Sequence, residues 1–155
     1  MSSSIFLDSS LLIEYRKGTQ TDLFEAIMAD ADWQPYISQT VVSEYLFFHL
    51  AIFSGKAPLT VKSNKEVGQV LASSSPEIFL AQFDWLTDFE SMPAKAAQLM
   101  GKYNLLPNDA LIIAICQEHS LKYLASFDPD YVPVCAGEGI QLIQTLQDWT
   151  AIQTQ

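Results

Sequence analysis

The hydrophobic pattern divides the chain into short apolar runs that stop at polar residues. Ile5-Phe6-Leu7 is one such run, halted by Asp8, and it reads as a strand. Helical spacing resumes through Leu11, Leu12, Ile13 and Tyr15, with Ser9 as the expected N-cap and Gly18 as the stop. Leu23, Phe24, Ile27 and Met28 predict a second helix over 22–31, and Pro35-Tyr36-Ile37-Ser38 a second strand. Thr40 is the expected cap of an unusually apolar helix, 41–54, closed by Gly55. The pattern then weakens: a connector over 57–62, helices over 64–72 and 77–89, and a break at Ser73–Pro76. A helix follows over 93–103 with Pro93 at its first position. Another begins at Pro107-Asn108-Asp109, capped by Asn108. Its continuation, Ala110 to Cys116, is apolar on every side and should be buried. Lys122–Ala125 reads as a strand, Tyr131–Cys135 as a last short strand, and Ile140–Trp149 as a closing helix.

This alternation predicts an α/β fold, a central, mostly parallel sheet flanked by helices. At 155 residues the expected unit is a single domain over 1–155. Ligands in such folds sit beyond the carboxyl ends of the strands. Asp8 and Asp128 each follow a strand, so both should face that crevice.

Composition narrows the class. Hydrophobic residues make up 49% and charged residues 17%, which is globular and excludes a disordered chain. The longest apolar stretches, 45–53 and 110–116, are too short to span a bilayer, so no membrane segment is expected. The first residues lack a basic n-region and a long apolar run, so no leader is expected. Cys116 and Cys135 form neither a disulfide framework nor a metal-ligand spacing, and a reducing, cytoplasmic setting follows as the expectation.

Eighteen acids against eight bases give a net charge of −10. That argues against a phosphate-backbone ligand unless some acids do more than solubilise. Glu44 interrupts the most apolar helix, and no Lys or Arg occurs between Lys17 and Lys56 to pair with it. A solvent-facing position through a gap in the packing fits Glu44 as well as a buried one. Asp109 opens an all-apolar helix, where an acid also complements the helix dipole. Asp128-Pro129-Asp130 has turn character. Singly, each acid has an ordinary structural reading. Together, an α/β fold can bring them to one pocket, and several carboxylates stay ionised there only with counter-charge. An oxygen-only donor set suits Mg²⁺ or Mn²⁺. His49 and His119 lack metal-motif partners, which argues against zinc.

Four segments carry a family resemblance. They are Ile5-Phe6-Leu7-Asp8-Ser9-Ser10; Ile37-Ser38 through Val42-Ser43-Glu44-Tyr45-Leu46; Tyr103 through Pro107-Asn108-Asp109-Ala110-Leu111-Ile112-Ile113-Ala114; and Leu124-Ala125-Ser126-Phe127-Asp128-Pro129-Asp130-Tyr131. In this order, over residues 5–131, they resemble the motifs of PIN-domain ribonucleases, and more narrowly of VapC-type toxins of type II toxin–antitoxin pairs. The resemblance implies a PIN-like fold and Mg²⁺- or Mn²⁺-dependent hydrolysis of RNA. It implies Asp8, Glu44, Asp109 and Asp128 as the acids of the catalytic metal site, with Asp130 as a further metal-site acid. Ser10 and Ser126 would be supporting polar groups. Asp128 and Asp130 compete for the fourth acidic position. A cognate antitoxin and a homodimer are implied partners, and the aromatic richness of 45–53, with Trp85 and Phe89, allows an apolar interface. The chemistry would be that of a cation that acidifies water and stabilises charge on the phosphate. Arg16, Lys17, Lys56, Lys62 and Lys65 are open to two readings, phosphate contacts or solvated surface charge. The segment 57–89 lies outside the resemblance.

Two other classes compete. A PIN-like binding module with an unused metal site fits the shortage of bases. A phosphoacceptor receiver domain shares the acidic α/β pocket, but Asp8 is followed by Ser9 rather than an acid and no suitable Lys follows Asp128. A phosphatase of the paired-Asp type fails because Ser10 stands two residues after Asp8.

Overall fold

A computed structural model describes residues 2–154. Five strands form one sheet in the order β3-β2-β1-β4-β5, and every pairing is parallel. The strands are β1 (Ser3–Leu7), β2 (Trp33–Ser38), β3 (Asp84–Leu86), β4 (Tyr123–Ala125) and β5 (Gln141–Ile143). At the centre Phe6 is in register with Tyr36 on one side and Leu124 on the other. Ile5, Phe6 and Leu7 are consecutive and all buried, as both faces of a parallel sheet require when helices cover them.

Helices α1 (Ser9–Lys17), α2 (Asp22–Ala29) and α3 (Gln39–Ser54) follow the first two strands. Three short helices follow, α4 (Pro58–Ser63), α5 (Val67–Ser73) and α6 (Pro76–Leu80), then the longer α7 (Met92–Tyr103) and α8 (Pro107–Glu118). The chain closes with α9 (Tyr131–Glu138) and α10 (Leu146–Gln153). α1 packs on α3, α7 on α8, and α2 on α10. In α8, Ala110 and Ile112–Cys116 are all buried, so this helix is the core element its composition predicts. Gly18 ends α1 at φ +75°, a left-handed conformation that favours glycine.

Several expectations are corrected. Tyr131–Cys135 is the start of α9 rather than a strand: Tyr131, Val134 and Cys135 are the buried set, and that spacing is helical. Residues 140–149 are not one helix. Gln141–Ile143 pairs with β4, and α10 begins only after a Thr145–Asp148 capping box. The 57–62 connector is mostly α4, with Pro58 in its first turn. The helix expected over 77–89 is α6 followed by edge strand β3, whose Ile37↔Trp85 register extends the sheet past β2. Three caps also move. Asp8 caps α1 in place of Ser9, Ser38 precedes α3 in place of Thr40, and Leu106 precedes α8 in place of Asn108. Pro93 is one residue inside α7, which starts at Met92.

Candidate metal and active site

Parallel pairing puts the carboxyl ends of all five strands at one edge, and the site is assembled there. β1 hands directly to Asp8 and β4 to Ser126, with Asp8 N–H donating to the Ala125 carbonyl at 3.0 Å. Asp8 is 5% exposed and Ser126 fully buried. Asp8 Oδ2 accepts from Ser10 Oγ and from Ser126 Oγ, each at 2.7 Å. Each hydroxyl also accepts a backbone N–H: Ser10 from Phe127 and Ser126 from Asp128, both at 3.0 Å. The two serines therefore tie the end of β1 to the loop after β4 and fix the orientation of the Asp8 carboxylate. Burial raises the Asp8 pKa and these hydrogen bonds oppose the rise.

The second acid comes from α3. Glu44 lines the same cavity as Asp8, Asp109 and Asp128. Its Oε1 is buried and has no hydrogen-bond partner among the described residues. Burial, then the charges of Asp8 and Asp109, push its pKa up to about 7, partly offset by the neighbouring Asn108 and Ser9. The solvent-gap position weighed for Glu44 is not what the fold makes; it faces the acid cavity.

Asp109 sits in the first turn of α8 and accepts from the buried Tyr131 hydroxyl at 3.2 Å. Its pKa is pushed up to about 6 by burial and then by Asp128. Carboxylate oxygens of Asp109, Asp128 and Asp130 lie within 4.8 Å of one another. Asp128 lines the cavity, whereas Asp130 is exposed at the side of that trio. Asp130 N–H donates to Asp128 Oδ1 at 2.9 Å, which sets the spacing of the pair. All seven residues singled out from the sequence thus meet at one edge of the sheet. Tyr131 is the residue that the sequence reading left unassigned; its signal is the aromatic position directly after Asp130.

The donor set is entirely oxygen, and four acids share one cavity. One acid has a buried, unpartnered oxygen, and three have raised pKa values. These features fit a hard divalent cation, which supplies the missing positive charge. The histidines take no part. His49 is fully buried between the Tyr45 hydroxyl at 3.1 Å and the Ser74 carbonyl at 2.9 Å; His119 ends α8 and meets the Thr87 carbonyl at 3.0 Å. Of the candidate bases, Arg16 and Lys17 line the cavity, Lys56 is paired with Glu66 at 2.8 Å, and Lys62 and Lys65 are exposed elsewhere.

The PIN domain family model matches residues 5–136. The chain belongs to the PIN domain family. Ribonuclease VapC2 of Methanocaldococcus jannaschii is 31% identical over 134 residues, covering 83% of this chain and 87% of that protein. Ribonuclease VapC6 of the same organism is 30% identical over 146 residues, covering 85% of this chain and 93% of that protein. Among solved structures, a DNA-bound VapBC complex from Salmonella typhimurium superposes with TM-score 0.62 at 16% identity, covering 92% of this chain and 98% of that one. As a PIN domain, the chain carries the fold its four motifs imply, with a carboxylate cluster of the kind that PIN nucleases use to hold a divalent metal.

Proposed function

We propose that this PIN-domain chain is a metal-dependent endoribonuclease, the toxin member of a type II toxin–antitoxin pair. The observation that carries the reading is the convergence of Asp8, Glu44, Asp109 and Asp128 on one cavity at the carboxyl edge of the sheet. Both archaeal relatives are ribonucleases, which supports RNA as the substrate class. Asp8, Glu44, Asp109 and Asp128 would hold Mg²⁺ or Mn²⁺, with Asp130 as a flanking acid. The bound cation supplies Lewis acidity toward the scissile phosphate and a water acidified toward neutral pH. The protein's own work is orientation. Ser10 and Ser126 hold Asp8, Tyr131 holds Asp109, and the Asp130 N–H holds Asp128. Glu44, whose pKa burial and the Asp8 and Asp109 charges push up to about 7, would be ionised as a ligand of the cation.

The test is cleavage of total RNA by purified protein with Mg²⁺ or Mn²⁺, with EDTA as control. Asp8→Asn, Glu44→Gln and Asp109→Asn should each abolish cleavage while circular dichroism stays unchanged. Full activity in Asp109→Asn protein would sink the reading.

The partner proposed is an antitoxin with a basic segment, which the net charge of −10 favours. A homodimer is proposed through the outer face of α3 and the adjoining edge strand. Leu46, Phe47 and Trp85 are 38–52% exposed there, an apolar set of the kind interfaces cover. Light scattering after size exclusion should give twice the chain mass, and Leu46→Asp with Trp85→Ser should give the monomer. A monomeric parent protein would overturn the dimer. Both cysteines are free and buried, and no helix among the described residues is long and apolar enough to cross a membrane. These features support the proposed cytoplasmic setting.

A further inference from the structure

The cavity that holds the acids does not end with them. It encloses about 920 Å³ and runs on between α1 and α3. On α3 the wall is Glu44, Phe48 and Ile52, successive four-residue steps on one face. On α1 it is Ser9, Ser10, Ile13, Glu14, Arg16 and Lys17. From the acids to Arg16 the groove follows each helix for roughly 10–12 Å at the α-helical rise. One end is strongly acidic, the middle is apolar and aromatic, and the far end carries Arg16 beside the Glu14–Lys17 ion pair.

Arg16 is the chain's only arginine. Its guanidinium lies 5.0 Å from the Phe53 ring centroid and 4.8 Å from that of Phe79. No carboxylate among the described residues comes within ion-pair distance of it, and its Nε is buried without an acceptor. Lys17, next along the chain, is by contrast paired with Glu14 at 3.2 Å. The polar neighbour of the Arg16 guanidinium is the Tyr45 hydroxyl, and a half-buried guanidinium packed in place with a neutral partner and no anion keeps its charge available to a ligand. Phe48, between this cation and the acids, is 43% exposed and its side chain lines the groove.

We propose that this groove is a subsite for the RNA strand beside the scissile phosphate, with Arg16 binding a flanking phosphate and Phe48 stacking on a base. A nucleotide combines a flat apolar ring and an anion, and the groove offers an aromatic surface and an unpaired cation in sequence. Its continuity with the acid cluster places both groups on one strand. The inference rests on the nuclease reading for the identity of the strand. It adds that recognition is local: a single built cation does what a basic surface does in other RNA-binding proteins.

The test measures binding of a short fluorescein-labelled single-stranded RNA by anisotropy, in Mg²⁺, in an Asp109→Asn background that suppresses cleavage. Arg16→Met keeps the packing between Phe53 and Phe79 and removes the charge. It should weaken binding about tenfold and flatten the log–log salt dependence by about 0.7, the value of one single-strand phosphate contact. Arg16→Lys should keep the salt slope. Phe48→Ala should weaken binding about fivefold or more with the slope unchanged. In the active protein, Arg16→Met should raise KM more than it lowers kcat. Unchanged affinity and slope in Arg16→Met protein overturn the proposal, as does a loss confined to binding of a protein partner. Parent protein that shows the Arg16 signature but never cleaves RNA with Mg²⁺ or Mn²⁺ overturns the nuclease reading alone.

Discussion

Asp8 shows how much of the site depends on two hydroxyls. It is buried, it is an acid, and both of its side-chain donors are serines that also accept a backbone N–H, Ser10 from Phe127 across the β1–β4 junction and Ser126 from Asp128 within its own loop. Replacing Ser126 by Ala removes one donor from Asp8 and leaves the Asp128 N–H without its acceptor. Hydrogen bonds to a charged group contribute about 1.5–3 kcal/mol, and supporting residues of metal sites typically change metal affinity about 10–100-fold. Ser126→Ala should therefore weaken Mn²⁺ binding by about tenfold or more in isothermal titration. Unchanged Mn²⁺ affinity would show that Asp8 needs no such support. The acids of this site were legible in the sequence only in combination, since each has an ordinary reading alone: Asp8 and Asp128 end strands, Asp109 opens a buried helix, and Glu44 sits among Val41, Phe47 and Phe48. The packing role of the serines was not, since a serine beside an acid looks the same whether it caps a helix or crosses to another strand. Ser9 illustrates this, the expected cap that yields the position to Asp8.

Elements with strong periodicity were read correctly, and those that failed were short. β1, β2, α1, α3, α8 and β4 match their apolar patterns to within a few residues. β5 has three residues and is a strand because β4 offers it a free edge, with Leu124 opposite Leu142. Nothing within the run itself marks it as a strand; the sheet decides. One local signal was present, though. Thr145 and Asp148 have capping-box spacing, and Asp148 Oδ2 accepts from the Thr145 N–H at 3.0 Å while Thr145 Oγ1 accepts from the Asp148 N–H at 3.1 Å. That box starts α10 after β5 and turns Trp149 inward against Trp33, with ring centroids 4.9 Å apart. Thr145→Ala should cost about 1 kcal/mol of unfolding free energy, read from the urea midpoint at unchanged slope. A variant as stable as the parent would mean that Trp149 packing alone sets the helix start. α3 teaches the converse. Its apolarity is not burial: Leu46, Phe47 and Phe48 are exposed, because one face meets the core at Val41, Tyr45 and His49 and the others line the groove and an open surface.

At the scale of the whole molecule, the net charge of −10 divides into a site and a surface. Five of the acids stand together, and three of them, Asp8, Glu44 and Asp109, have folded-state pKa values raised above the ordinary carboxylate range. A raised carboxylate contributes stability that is fully present below its unfolded value, near 4, and lost as pH rises through its folded value. For Asp109 and Glu44 those folded values are about 6 and about 7. Glu14, Glu66 and Glu138 have lowered pKa values, so their contribution is lost only in acid, below their ordinary range, and does not mask the effect. Without metal, Tm should thus fall between about pH 5 and pH 7.5. A cation binds the ionised acids and reverses this, so saturating Mg²⁺ should raise Tm more at pH 8 than at pH 5. Asp109→Asn removes one of the charges that repel in the empty site. At pH 8 it should melt higher than the parent in EDTA, by about 1 kcal/mol after allowing for solvent screening of a half-buried group, and gain less from Mg²⁺. A metal-free Tm that is flat from pH 5 to pH 8, or a Mg²⁺ shift independent of pH, would mean that these acids do not form one repulsive cluster. On the proposed function, the acidity that argued against a phosphate ligand has a physical use: it stores repulsion that a bound cation would relieve, and that cation would offset the repulsion between the site and an anionic strand.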